Sequence, residues 1–243
     1  MSADCCFSTL LSAAQRGWLA CDGDEALLSL ALPIEGIDPL LALPQLAEQE
    51  SLQVLWDSAP GLCLAAAGPC QELELAGSRR FEQAQRFADL CLSRLHDTAA
   101  DSPAHARPRV LLRFRFFDQV SERRRSEAVV PSVQAVLPRW QLSRQGRRGW
   151  LRLNGVVSSA ADCRELAEQL WLKHEQLLKT PTTPPPLKPQ ALVAATEPET
   201  WRQRYAAALT RGIDLVNSGD LHKLVLAVRH RIVLADAFDP LPL

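Results

Sequence analysis

Nine residues constrain this chain more than any others. Positions 181–189 hold five prolines, at 181, 184, 185, 186 and 189. Proline fixes φ and carries no amide hydrogen, so this run can be neither helix nor central strand. It reads as an extended connector. The expected organisation is residues 1–179 as one piece, 180–195 as the connector and 196–243 as the start of another.

The rest of the composition narrows the class. The chain has 243 residues, with 27 basic and 28 acidic side chains and a net charge of -1. Such a balance argues against a dedicated nucleic-acid binder. No apolar run approaches the ~20 residues of a membrane helix. No basic segment precedes the short apolar stretch at the N-terminus, so a secretory signal is not expected and the cytoplasm is. The 7 cysteines form no CxxC pair. Reduced, buried thiols are expected rather than a disulfide framework or a zinc site.

Periodicity then places elements. A short helix is expected over Ser8–Arg16 and a strand over Leu27–Leu32. Asp38 and Pro39 open a helix, as a cap followed by a first-turn proline. Leu52–Trp56 alternates like a strand, and Leu62–Ala67 is a small-residue strand that Gly68 and Pro69 should end. Helical spacing of Phe81, Ala84, Ala88, Cys91 and Leu95 predicts a helix over Arg79–Leu95, capped by Ser78. Asp97–Pro108 reads as a loop. Arg109–Phe117 reads as a half-buried strand with Leu112, Phe114 and Phe116 inward.

Strands are expected over Val133–Arg144 and Trp150–Val157, joined as a hairpin. Cys163, Leu166, Ala167, Leu170, His174 and Leu177 mark an amphipathic helix, with His174 partly exposed. After the prolines, Thr196, Glu197, Pro198 and Glu199 form a capping-box pattern. It opens a helix through Val216 that stops at Asn217, Ser218 and Gly219. The last expected element is a strand over Leu221–Leu234. One face would carry Leu224, Leu226, Val228, Ile232 and Leu234, and the other Lys223, Val225, Ala227, Arg229 and Arg231.

Three features could carry chemistry. Lys223 has short apolar neighbours on its own strand face. Desolvation there would lower its pKa from about 10.4 toward neutrality and make it a general base. The other reading is a lysine near a strand end that snorkels to water. The pairs Arg113/Arg115 and Arg229/Arg231 could grip carboxylates or simply solvate a sheet face. Arg123, Arg124 and Arg125 read as a solvated loop.

The segment Tyr205–Leu234 resembles the start of the chorismate-binding module of chorismate-utilising enzymes. In that family a helix leads through a Gly-Asp turn into a strand of the form GD-x-x-(K/Q)-V-V-L. Here the match is Gly219, Asp220, Leu221, His222, Lys223, Leu224, Val225 and Leu226. Ammonia-using members carry Gln at the fifth position and water-using members carry Lys. The chain therefore resembles the water-using branch. The Leu62–Gly68 strand, the Phe81–Leu95 helix, Phe114–Asp118 and the segment 136–151 are similar to the N-terminal half of cyanobacterial isochorismate synthases. Val228 stands where relatives have Arg, and strand alternation sends Arg229 to the face of Lys223.

The resemblance implies an α+β fold of antiparallel sheets packed face to face with outer helices. It implies conversion of chorismate to isochorismate for menaquinone or phylloquinone synthesis. Lys223 would activate water at ring C2, a glutamate would protonate the departing C4 hydroxyl, and Mg2+ would hold the substrate carboxylate. The chain ends at Asp239, Pro240, Leu241, Pro242 and Leu243, a helix opening without its helix. It is accordingly expected to be a fragment of a longer protein, inactive alone. The family's acid, metal-binding and substrate-gripping residues would then fall beyond residue 243. The competing expectations are a salicylate synthase and a non-catalytic relative that binds without turnover.

Overall fold

The computed structural model describes residues 3–21, 24–48, 50, 52–58, 61–116, 131–179, 192–195, 198–227 and 232–234. The chain divides into two compact units, Met1–Pro184 and Pro185–Leu243. Its class is α+β.

In the first unit, the strands are β1 (Ala26–Glu35), β2 (Gln53–Ser58), β3 (Leu62–Leu75), β4 (Leu95–Asp97), β5 (Leu111–Phe114), β6 (Val133–Gln145) and β7 (Arg148–Val157). They form one sheet in the order β2-β3-β6-β7-β1-β4, and β5 pairs with β6. All pairs are antiparallel except β1 with β4. On its edge away from β3, strand β6 serves two partners in turn. Its first residues, Val133–Val136, pair with β5, and Trp140–Gln145 pair with β7.

The helices are α1 (Ala3–Leu19), α2 (Pro39–Leu46), α3 (Arg80–Arg94) and α4 (Ala160–Leu177). Strand alternation gives the sheet two chemically different faces. Leu28, Leu30, Leu151, Leu153 and Leu142 are buried on one face, against α1, α2 and α4. Helix α4 comes close enough that a side chain at Gly155 would collide with Leu166. On the other face α3 seats Ala84 against Val133 and Ala135, with Leu73, Leu75, Phe87 and Val110 around them.

Local chemistry sets the boundaries. Asp38 caps α2 by accepting from the Leu40 amide at 2.9 Å. Lys173 of α4 answers the other end, donating to the Gln45 carbonyl at 2.8 Å. Ser159 caps α4 by accepting from the Asp162 amide, while Asp162 accepts from the Ser158 amide and hydroxyl.

Several expectations are corrected. Helix α1 extends past Ser8–Arg16 at both ends. Gly68 and Pro69 do not end β3. Gly68 takes a left-handed φ of 66°, Pro69 faces Pro138, and pairing resumes at Gln71 after a bulge. A bulge absorbs an extra residue and bends the strand without ending it. Ser78 does not cap α3, whose cap position is Arg79 with no side-chain capping bond. The residues after α3 form β4, because three backbone positions lie beside β1 in parallel register. The expected inward face of β5 is not covered. Phe114 stacks on Phe81 with ring centroids 4.7 Å apart, yet Phe81, Leu112 and Phe116 remain exposed. His174 is partly exposed as expected, with its Nε2 3.2 Å from the Pro33 carbonyl oxygen.

The second unit holds β8 (Leu192–Ala195), α5 (Pro198–Asn217) and β9 (Ile232–Leu234). Strands β8 and β9 pair antiparallel. The expected strand Leu221–Leu234 is thus strand only at its end among the described residues. Leu221–Ala227 has no ladder partner in the described unit, which explains its lack of strand structure.

Burial of Cys63, Cys91 and Cys163, and of Cys70 more strongly, raises their thiol pKa values, that of Cys70 to about 11. Cys21, Cys63, Cys70, Cys91 and Cys163 are unbridged.

The cap at α4 generates a prediction. Ser159→Ala should lower stability by about 1 kcal/mol, read by urea unfolding. The Asp162 carboxyl is held below its ordinary value, first by the Ser158 amide hydrogen bond and then by the Ser159 and Ser158 hydroxyls. Its contribution is therefore present above its unfolded pKa and lost as pH falls through the folded one. Asp162→Asn should flatten the acid limb of the stability curve below about pH 4.

Candidate functional site

Two constructions stand out, one in each unit. The first is a polar cluster inside the seven-stranded sheet. Ser29 on β1 and Arg152 and Asn154 on β7 share the face opposite α4, and all three are fully buried. Arg152 Nη1 donates to Asp97 Oδ1 at 2.6 Å and to Ser29 Oγ at 2.7 Å, and its Nε donates to the Ala106 carbonyl at 3.0 Å. Ser29 Oγ donates to Asn154 Oδ1, and the Asn154 amide donates to the Pro138 carbonyl at 2.7 Å. The hydrogen-bonded chain thus links four strands, β4, β1, β7 and β6.

Segment 98–110 covers this cluster. Thr98 donates to the Ser29 carbonyl at 3.0 Å. Buried Gln141 accepts from the Arg109 amide and donates to the Arg107 carbonyl. Burial pulls the Arg152 guanidinium below its usual pKa, and the hydrogen bond and charge of Asp97 pull it back up. Arginine stays charged in proteins, so one buried cation is held by one carboxylate. His105 is also pushed down, first by burial and then by Arg109 and Arg148.

Sequence reading missed this cluster. A strand pattern with Leu151, Arg152, Leu153 and Asn154 reads as a solvated outer face, because the covering segment is remote in sequence. The visible signal was Ser29, a small polar residue in an otherwise apolar strand.

The second construction surrounds Lys223. Helix α5 ends in a knot of hydrogen bonds. The amides of Ser218, Gly219 and Leu221 donate to the carbonyls of Asp214, Val216 and Leu215. Gly219 takes φ of 82°, a conformation glycine adopts without steric cost. Ser218 Oγ donates to Asp220 Oδ2 at 2.8 Å. The chain then runs extended along α5. Leu224 and Leu226, with Tyr205, Leu209, Gly212, Ile213, Val216 and Asn217, line a cleft of about 350 Å³.

Lys223 and Val225 take the alternate positions and are exposed. In the lining of the cleft the expected alternation holds over 223–226, although Leu224 is itself 42% exposed. The expected desolvation does not, because the apolar residues beside Lys223 are exposed themselves and shield nothing. Arg113 and Arg115 are exposed as well. Arg123–Arg125, Val228, Arg229 and Arg231 lie outside the described residues.

Among the described residues no three His, Cys, Asp or Glu side chains converge as a metal site. They do not fit the Mg2+ that the resemblance implies. No described helix is long and apolar enough to cross a membrane.

The sequence matches the family described as chorismate binding enzyme over residues 12–243. No curated protein matches it. Among solved structures it is similar to MenF, the menaquinone-specific isochorismate synthase from Escherichia coli, at 18% identity and a TM-score of 0.46. That similarity covers 77% of this chain and 38% of the other, so the chain spans well under half the length of that enzyme.

The buried ion pair generates a prediction. Asp97→Ala strands a charged guanidinium in the interior and should cost about 3 kcal/mol or more. Arg152→Met removes the buried charge, and Asp97, 18% exposed, can turn to water. Its cost should be smaller. Urea unfolding of both variants checks the order.

Proposed function

Since the chain belongs to the chorismate-binding enzymes, we propose that it is part of an isochorismate synthase, with Lys223 as the base that activates water. The observation that carries this reading is a lysine four residues after Gly219, at the position where water-using members have it, in a chain whose family match spans residues 12–243. The substrate is chorismate and the product isochorismate, supplied to quinone synthesis.

The reaction takes a proton from water as its oxygen bonds to ring C2. The ring double bonds shift, and the C4–O bond breaks with protonation of the departing hydroxyl. One water enters and one leaves, so the change is an isomerisation. Lys223 Nζ is the acceptor of the first proton. It must be neutral to do this, and burial against substrate or further protein favours the neutral amine. The amine stands on the exposed side of a segment whose other side is anchored to α5, so it is presented outward for such a closure. The donor to the C4 hydroxyl and the Mg2+ ligands belong beyond residue 243, and no step is assigned to the metal.

Two experiments test the reading. In the full-length protein Lys223→Gln should abolish isochorismate formation while chorismate binding persists, measured by product chromatography and calorimetry. The 243-residue chain alone should form no isochorismate and show no Mg2+-dependent chorismate binding. Isochorismate from the isolated chain would overturn the partition of the site. Salicylate and pyruvate from the full-length protein would make it a salicylate synthase. Undiminished turnover by Lys223→Gln, or no turnover by the parent, would remove the base role.

A further inference from the structure

Gly212 lies in the middle of α5, away from any turn, where glycine is disfavoured by about 1 kcal/mol relative to alanine. Its φ is not in the left-handed region, so backbone conformation does not demand glycine. Space does. A Cβ built on Gly212 would meet Leu224 Cδ2, the far end of that side chain, well inside van der Waals contact, with Leu224 Cγ at 3.8 Å. The missing side chain is therefore a notch in α5 occupied by one methyl group of Leu224.

Extended-chain geometry couples the notch to the lysine. Leu224 adjoins Lys223, and the two side chains leave the backbone in opposite directions. Behind them, the hydrogen bond from Leu221 to Leu215 at 3.0 Å fixes where the segment departs from α5. Beyond that bond, Leu224 is the first side chain of the extended segment that lines the cleft.

We propose that Gly212 is a positioning residue for Lys223, acting through the seat it provides for Leu224. The inference rests on the reading of Lys223 as the base. Leu224 is itself 42% exposed, so a methyl at position 212 turns its Cδ2 out of the seat, and the Lys223 segment loses that anchor. A displacement on the order of 1 Å at a reacting group can cost roughly a hundredfold in rate.

The test is a double-mutant cycle in the full-length protein with two readouts. Gly212→Ala should lower kcat by roughly tenfold or more, with the chorismate KM little changed. It should also speed deuterium uptake over residues 221–226. Leu224→Val withdraws the colliding methyl and alone should have a small effect. Combined with Gly212→Ala it restores the total volume, a swap that packed sites tolerate. The double variant should recover most of the lost kcat and the parental uptake.

A Gly212→Ala variant with parental kcat and uptake overturns the proposal. So does a double variant as impaired as the single one. Uptake does not depend on turnover. If the parent makes no isochorismate the function fails, while the exchange cycle still decides whether Gly212 seats Leu224. Exchange coupling without any change in kcat would keep the notch but refute the positioning role.

Discussion

The first unit depends on the buried guanidinium of Arg152. Arg152 sits fully buried at the centre of one sheet face, and Asp97 is its counter-charge at 2.6 Å. Asp97 closes β4, so the pair can form only if β4 lies beside β1 in the observed parallel register. Arg152 also takes the Ala106 carbonyl, and Gln141 takes the backbone around Arg107 and Arg109. A segment without a hydrophobic run of its own is thereby tied to the sheet at several points. Polar groups in a low-dielectric setting specify geometry because a wrong arrangement leaves them unpaired. The apolar face has no such requirement and is set by packing against α1, α2 and α4.

The legible part of the fold was local. Alternation found β1, β6 and β7, helical spacing found α3 and α4, and Asp38 announced the cap of α2. What was not legible depends on distant partners. The β4 residues have no strand signature, and their conformation comes from β1. Gly68 and Pro69 carry the signature of a chain reversal, but β6 opposite them holds the strand in register. Leu112, Phe114 and Phe116 alternate like a core-facing strand, yet alternation cannot say whether another layer covers them.

The candidate site divides in the same way. Lys223 and the alternation around it could be read directly, since they belong to one short motif. Its surroundings could not. Apolar neighbours on the same strand face suggested a dry amine, whereas dryness requires a second surface above that face. The Arg152 cluster was hidden for the converse reason: its residues look like a wetted exterior until segment 98–110 is laid across them. Gly212 is an intermediate case. A glycine within a good helix pattern is anomalous by propensity, but only coordinates show that Leu224 is the reason.

The facing prolines of β3 and β6 have a wider consequence. Neither Pro69 nor Pro138 owns an amide hydrogen, so no rung of the ladder can close between them from either side. The Pro138 carbonyl goes instead to the Asn154 side chain. This missing rung falls where β6 exchanges β5 for β7 as its neighbour. The bulge at this point bends the ribbon while its pairing continues on both sides.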